Sequence, residues 1–98
     1  MINNLLAALG NTADEVASAL RAKRIQGTPN TVRQLNPIVR YVQSQLPDVQ
    51  TANLIADLLT IQFSDGRQQQ QITPPAVHDF LDAFNRGQYP DLHLGPSN

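Results

Sequence analysis

The sequence predicts an α+β fold that is mostly helical, with a three-helix N-terminal cluster, one β-hairpin and a C-terminal helix. Two kinds of local signal lead to this fold class. Thr12, Asn36 and Thr73 each stand before an apolar stretch with helical spacing, and such residues begin helices because their side chains accept from free backbone N–H groups. An alternating apolar stretch before Asp65-Gly66 is typical of a β-hairpin.

The first two helices are predicted at residues 2–9 and 13–24. Apolar residues recur at helical spacing up to Leu9, and Gly10 offers a left-handed stop. Thr12 and Glu15 match a capping box, in which the Thr12 hydroxyl accepts from the Glu15 N–H and the Glu15 carboxylate accepts from the Thr12 N–H.

A loop is predicted at residues 26–30, because glycine, proline and asparagine occur there together. Residues 31–35 predict one further turn of helix. Proline breaks a helix interior but is tolerated at the first helical position. We therefore expect Asn36 to cap a third helix over residues 37–46.

The hairpin is predicted from residue 58 onward, while residues 48–57 fit either a short helical turn or the start of a strand. Residues 58–64 alternate between apolar and polar side chains, as in a half-buried strand. Asp65-Gly66 predicts a two-residue type I′ turn, which would pair Leu59 with Ile72. The second strand, residues 67–72, is polar and is expected at an edge of the sheet.

The last helix is predicted to begin after Thr73 and to end at Gly87. The domain is then expected to span residues 1–87, with a loosely ordered tail at 88–98 whose Tyr89 and Leu92 are able to dock back. The predicted core consists of Leu5, Leu6, Val16, Leu20, Leu35, Ile38, Val39, Val42, Leu59, Ile61, Phe63, Phe80, Leu81 and Phe84.

Composition excludes several classes of protein. The 98 residues suit one domain, and the absence of cysteine rules out disulfides and thiolate metal sites. The N-terminus lacks a basic segment before its short apolar run, and no apolar run reaches the roughly 18 residues of a membrane span. We therefore expect a cytoplasmic protein with no membrane partner.

Catalytic chemistry has little support in this sequence. His78, Asp79 and Asp82 lie close together, but Asp79 and Asp82 fall on the polar side of the last helix. No nucleophile elbow and no phosphate-binding glycine loop is present. The expectation is a protein that is not an enzyme, with no cofactor, no metal and no small-molecule substrate.

Charge is distributed unevenly along the chain. Residues 21–40 contain Arg21, Lys23, Arg24, Arg33 and Arg40 and no acid, whereas the remaining residues carry two basic and eight acidic side chains, a balance of −6. Three interpretations stay open for this segment. The basic side chains either complement the C-terminal end of a helix and keep that face soluble, or bind an acidic surface of another protein, or contact nucleic acid.

Residues 12–20 followed by 30–35 resemble the two helices of a helix-turn-helix, and the later hairpin and helix resemble a winged-helix arrangement. The resemblance implies that Asn30, Thr31, Arg33 and Gln34 enter the major groove and that Arg67 lies at the tip of the wing. Winged-helix folds also serve as protein-binding modules, so the fold leaves the function open.

The predicted function is a non-catalytic interaction module that binds another protein, with a homodimer as one form of this. The exposed polar strand at residues 67–72 is able to pair with a partner strand. The alternative is a winged-helix DNA-binding protein of the transcription-regulator type. The residues predicted to contact a protein partner or nucleic acid are Arg21, Lys23, Arg24, Asn30, Thr31, Arg33, Gln34, Arg40 and Arg67.

Overall fold

The computed structural model describes residues 2–31 and 35–93, which form helices and one antiparallel sheet. The elements are α1 (Ile2–Ala7), α2 (Ala13–Ala22), α3 (Pro37–Gln45), β1 (Val49–Ile55), β2 (Leu58–Phe63), β3 (Gln68–Ile72), α4 (Pro75–Asn85) and a 3₁₀ turn at Pro90–Leu92. The α+β class is confirmed. The described structure is 43% helical, so the expectation of a mostly helical domain is not confirmed.

The predicted caps of α2 and α3 are largely confirmed. Thr12 Oγ1 accepts from the Glu15 N–H at 3.1 Å, but the Glu15 carboxylate accepts from the N–H of Asn11, one residue before the predicted donor. Asn36 is buried, and its Oδ1 accepts from the N–H groups of Ile38 and Val39 at 2.8 and 3.3 Å. These side chains satisfy backbone donors that the first helical turn leaves free.

The predicted cap of α4 is wrong. Thr73 donates both its N–H and its hydroxyl to the carbonyl of Asp57, at 2.8 and 3.2 Å. Thr73 therefore continues the contact between β3 and the preceding strands. Pro74 stands at the N-cap position and offers no side-chain hydrogen bond to the helix.

The sheet has three strands in the order β1-β2-β3, one more than the predicted hairpin. β1 pairs with β2 through a two-residue turn, Ala56-Asp57, because Ile55 lies opposite Leu58. Ala56 adopts the left-handed conformation with φ of 56°. Glycine and asparagine are the usual residues in such turns, so alanine gives no signal for this hairpin.

The β2–β3 register differs by one residue from the predicted one, since Leu58, not Leu59, lies opposite Ile72. The Phe63 N–H donates to the Arg67 carbonyl at 2.8 Å, so three residues, 64–66, form the loop. Only Gly66 in this loop has a positive φ, at 95°. A three-residue loop with one left-handed glycine is the next most common hairpin connection after the two-residue turns.

One hydrophobic core joins the helices to the inner face of the sheet. Phe80 is fully buried, with its ring centroid 5.5 Å from that of Phe84 and 5.4 Å from that of Tyr89. The predicted core is confirmed except at two residues. Leu5 is only half-buried, and the prediction that Leu35 is buried is wrong. Leu35 is 41% exposed because it lies in the loop before α3 rather than on a helix.

The segment after Gly87 packs on the body of the domain as far as it is described. Leu92 is buried, and its carbonyl accepts from the Gly27 N–H at 2.9 Å. The docking of Tyr89 and Leu92, left open by the sequence, is thus present. Residues 94–98 of the predicted tail lie outside the described residues.

Candidate functional site

The outer edge of β3 carries backbone groups that no strand among the described residues pairs with. In an antiparallel pair, alternate residues turn both N–H and C=O toward the neighbouring strand. The Arg67 carbonyl accepts from the Phe63 N–H, and the Thr73 N–H donates to the Asp57 carbonyl, so both residues direct backbone groups toward the β2 side. The even-numbered residues Gln68, Gln70 and Ile72 therefore direct their backbone groups away from β2, toward the open edge.

The other edge of the sheet, at β1, is less regular. Its pairing with β2 is interrupted between Val49 and Thr51, where an extra residue forms a bulge, and α3 contacts β1. Folded proteins commonly use bulges, charges or prolines to keep edge strands from pairing with other chains. From Gln68 to Ile72, β3 has a regular register with β2 and contains no charge and no proline.

The outer face of the sheet is uncharged and ends in an apolar row. Residues directly opposite each other across strands place their side chains on the same face. Ile55, Leu58 and Ile72 are opposed in this way, and Ile55 and Ile72 are 59% and 56% exposed. The next two rows of the same face consist of Asn53, Thr60 and Gln70, and of Thr51, Gln62 and Gln68.

Arg67, the predicted wing-tip cation, is held at the end of β3 by a neighbour. Its Nε lies 2.7 Å from Asp65 Oδ2, and its guanidinium carbon lies 4.9 Å from the centroid of the Phe63 ring. The Arg67 N–H and guanidinium lower the pKa of the Asp65 carboxyl. The charge of Arg67 is therefore already matched within the hairpin.

Arg21, at the end of α2, is also paired. Its guanidinium donates to both carboxylate oxygens of Asp91, which raises the pKa of Arg21 and lowers that of Asp91. Lys23 and Arg24 follow as exposed residues and form no ion pair with the described residues. Two cations thus remain available for a partner at this end of α2.

The loop predicted to read DNA bases is anchored to α4. The Asn30 N–H donates to Asn85 Oδ1 at 2.8 Å, and the Thr31 hydroxyl donates to the Thr28 carbonyl at 2.7 Å. Arg33 and Gln34 lie outside the described residues. Asn30 and Thr31 line a cavity of about 330 Å³ whose other walls are Asn36, Leu54, Ala56, His78, Leu81, Asp82 and Asn85.

Arg40 belongs to α3 and is half-buried, with its Nε atom buried and without a hydrogen-bond partner among the described residues. The predicted site residues are therefore distributed over the end of α2, the following loop, α3 and the β2–β3 hairpin. Sequence reasoning identified β3 as an exposed polar strand. It missed the apolar row of Ile55, Leu58 and Ile72, which only the correct strand register brings together.

Two further features are absent from the described part of the chain. No three histidine, aspartate or glutamate side chains there are close enough together to hold a metal ion. No helix there combines the length and apolar character needed to cross a membrane. Comparison with models of known protein families, with curated proteins and with solved structures finds no match for this chain.

Proposed function

We propose that this chain is a non-catalytic interaction module that binds another protein by adding a strand to the open edge of β3. The observation that carries the proposal is the set of outward-directed backbone groups at Gln68, Gln70 and Ile72. Extended segments bind such edges through main-chain hydrogen bonds, while alternate side chains give specificity.

The outer face of the sheet supplies a basis for that specificity. Ile72 lies at the edge itself and continues the apolar row of Ile55 and Leu58. A bound strand that places an aliphatic or aromatic side chain beside Ile72 would extend this row. Elsewhere on the face, glutamine, threonine and asparagine side chains favour polar, uncharged neighbours.

A random peptide library tests this proposal directly. The selected peptides are expected to shift the amide NMR signals of Gln68, Gln70 and Ile72 and to lose affinity for Gln70→Pro. Proline at position 70 removes only an outward N–H, so the β2–β3 ladder is retained. Gln70→Ala, which keeps that N–H, is the matched control. Absence of selected peptides, or shifts confined to α2, would contradict the proposal.

The second candidate is a winged-helix DNA-binding protein, and the exposed pair Lys23 and Arg24 favours it. Phosphate contacts release counterions, so this candidate requires an affinity for random duplex DNA that falls steeply with salt. Lys23→Ala would weaken such binding, whereas Arg86→Ala, which removes a cation already paired with Asp82, would not. The leading proposal expects no binding of duplex DNA at micromolar protein.

A further inference from the structure

We propose that the surface covered by residues 88–93, which we call the strap, is a docking site for an acidic segment of another protein, and that the strap occupies it as an intramolecular competitor. The strap follows α4 and contacts α2 and the loop after α2. This site does not include β3, so the proposal goes beyond the proposed function and does not depend on it.

The strap is bound in the manner of a short peptide ligand. The Leu92 side chain is only 2% exposed, and the Leu92 carbonyl accepts from the Gly27 N–H at 2.9 Å. The ring of Tyr89 packs against that of Phe80, and its hydroxyl donates to Asp14 Oδ1 at 2.7 Å. A buried aliphatic anchor, a main-chain hydrogen bond and an aromatic ring are contacts that a segment of another protein is equally able to make.

Charge complementarity identifies the partner segment as acidic. The one carboxylate of the strap belongs to Asp91, and the Arg21 guanidinium donates to both of its oxygens. Beside this pair lies a cavity of about 310 Å³ that Arg21 and Arg24 both line. Arg24 is exposed and forms no ion pair with the described residues. A segment with a second carboxylate would therefore match a cation that the strap leaves unmatched, and the cavity gives that carboxylate room.

The contacts that hold the strap are weak enough for it to be displaced. The side chains of Arg21 and Asp91 are each 50% exposed, and exposed ion pairs contribute little in water. Tyr89 adopts the left-handed conformation with φ of 55°, which is strained for a residue other than glycine. Leu92 is the one buried residue of the strap. Segments with few buried contacts open without unfolding of the whole domain.

Hydrogen exchange of the Gly27 amide tests whether the strap opens, because this N–H donates to the Leu92 carbonyl. We expect it to exchange faster than the amides of the central strand β2. Asp91→Ala should accelerate it about two- to fivefold, the effect of losing an exposed ion pair. Asp79→Ala, at an exposed residue with no ion pair to the described residues, is the control and should leave the rate unchanged. Gly27 exchange as slow as that of β2 would overturn the proposal.

A synthetic peptide added to the full chain tests the docking itself. The probe has the sequence of the strap with the change Pro90→Asp, which supplies the second carboxylate. It is expected to shift the amide NMR signals of Gly27 and Arg24 and to leave those of β3 unchanged. It should bind Asp91→Ala about two- to fivefold more tightly than Asp79→Ala, because the first variant weakens the competing strap and both remove one negative charge. Arg24→Gln should weaken binding of this peptide but not of the unaltered strap peptide.

Absence of a shift at Gly27, or equal affinity of the peptide for the two aspartate variants, would overturn the proposal. The buried anchor at Leu92 favours a protein segment over nucleic acid, whose contacts are mostly to phosphates. If random duplex DNA shifts the Gly27 signal and the peptide does not, the site binds nucleic acid and the proposal is overturned. The strap site and β3 report through separate amide signals, so failure here is distinguishable from failure of the proposed function.

Discussion

Arg24 occupies, after α2, the same left-handed position that Gly87 occupies after α4. Their φ angles are 58° and 96°. The Ile25 N–H donates to the Leu20 carbonyl and the Arg24 N–H to the Arg21 carbonyl, as the Gln88 and Gly87 N–H groups do after α4. Both helices therefore end in a Schellman motif, in which glycine is the usual residue at the left-handed position. Only α4 has glycine there.

We expect Arg24→Gly to stabilise the domain by about 0.5–1 kcal/mol relative to Arg24→Ala, because only glycine adopts this backbone conformation without steric strain. In a domain of this size, such a change raises Tm by roughly 2–8 °C. Both variants lose the guanidinium, so their difference isolates the backbone effect. Thermal unfolding of the two variants gives the comparison, and equal Tm values would contradict the assignment of strain to Arg24.

At Gly87 a substitution is expected to lower stability, because here glycine is replaced rather than introduced. We expect Gly87→Ala to destabilise the domain by about 1 kcal/mol, since alanine must adopt the left-handed conformation to keep the α4 motif. No atom outside the neighbouring residues lies within 4 Å of the added Cβ, so steric contact does not contribute. Urea unfolding measures the change, and Gly87→Asn is expected to lose less because asparagine tolerates positive φ better.

Phe80 should be among the residues most sensitive to truncation. It is fully buried and its ring packs against the rings of Phe84 and Tyr89. We expect Phe80→Ala to lower the free energy of unfolding by about 3–5 kcal/mol, as large-to-small core substitutions do. The exposed Ile55→Ala is the control and should change it by less than about 0.5 kcal/mol. Similar values for the two variants in urea unfolding would mean that α4 is misplaced.

Features set by neighbouring residues were predictable from the sequence, whereas those that depend on strand register were not. The caps by Thr12 and Asn36 need only residues within one helical turn. The predicted register would have placed Ile72 opposite Leu59, on the buried face. Since a shift of one residue moves a side chain to the other face, the extra loop residue moves Ile72 to the open face and creates the apolar row.

The charge of the predicted site could not be read from the sequence for a similar reason. Arg21 is predicted, with Lys23 and Arg24, to contact a partner, but in the structure it pairs with Asp91, which lies 70 residues away in the chain. That contact exists only because the segment around Leu92 docks on the core. Polar composition alone did predict that β3 is an exposed strand, because a strand of glutamines gains little from burial.

The Arg21–Asp91 pair predicts a pH-dependent contribution to stability. Because the pair lowers the pKa of the folded Asp91 carboxyl, its contribution is present above the ordinary carboxyl pKa and is lost as the pH falls through the lowered value. The Tm difference between wild type and Asp91→Asn should therefore shrink from about pH 7 to about pH 3. Asp79→Asn, at an exposed residue with no ion pair to the described residues, is the control. A difference that is constant with pH would exclude a role for the pair.

Tyr41 predicts the opposite trend at alkaline pH. Its hydroxyl donates to the Leu5 carbonyl at 2.9 Å, its side chain is buried, and burial raises its pKa. The unfolded chain then releases the phenol proton first, so stability falls as the pH rises from the ordinary tyrosine pKa of about 10 toward the raised value. Tyr41→Phe should lose about 0.5–1.5 kcal/mol at neutral pH with the hydrogen bond, yet decline less steeply above about pH 10.

The titration of Tyr41 can be followed on its own, because the chain contains two tyrosines and no tryptophan. In Tyr89→Phe, the ultraviolet absorbance of tyrosinate reports Tyr41 alone. We expect its ionisation to coincide with loss of the far-ultraviolet circular-dichroism signal. Burial is the cause of the raised pKa of Tyr41, and a buried phenolate is unfavourable without a compensating charge. Ionisation at the ordinary pKa in a protein that remains folded would contradict the burial of this side chain between α3 and α1.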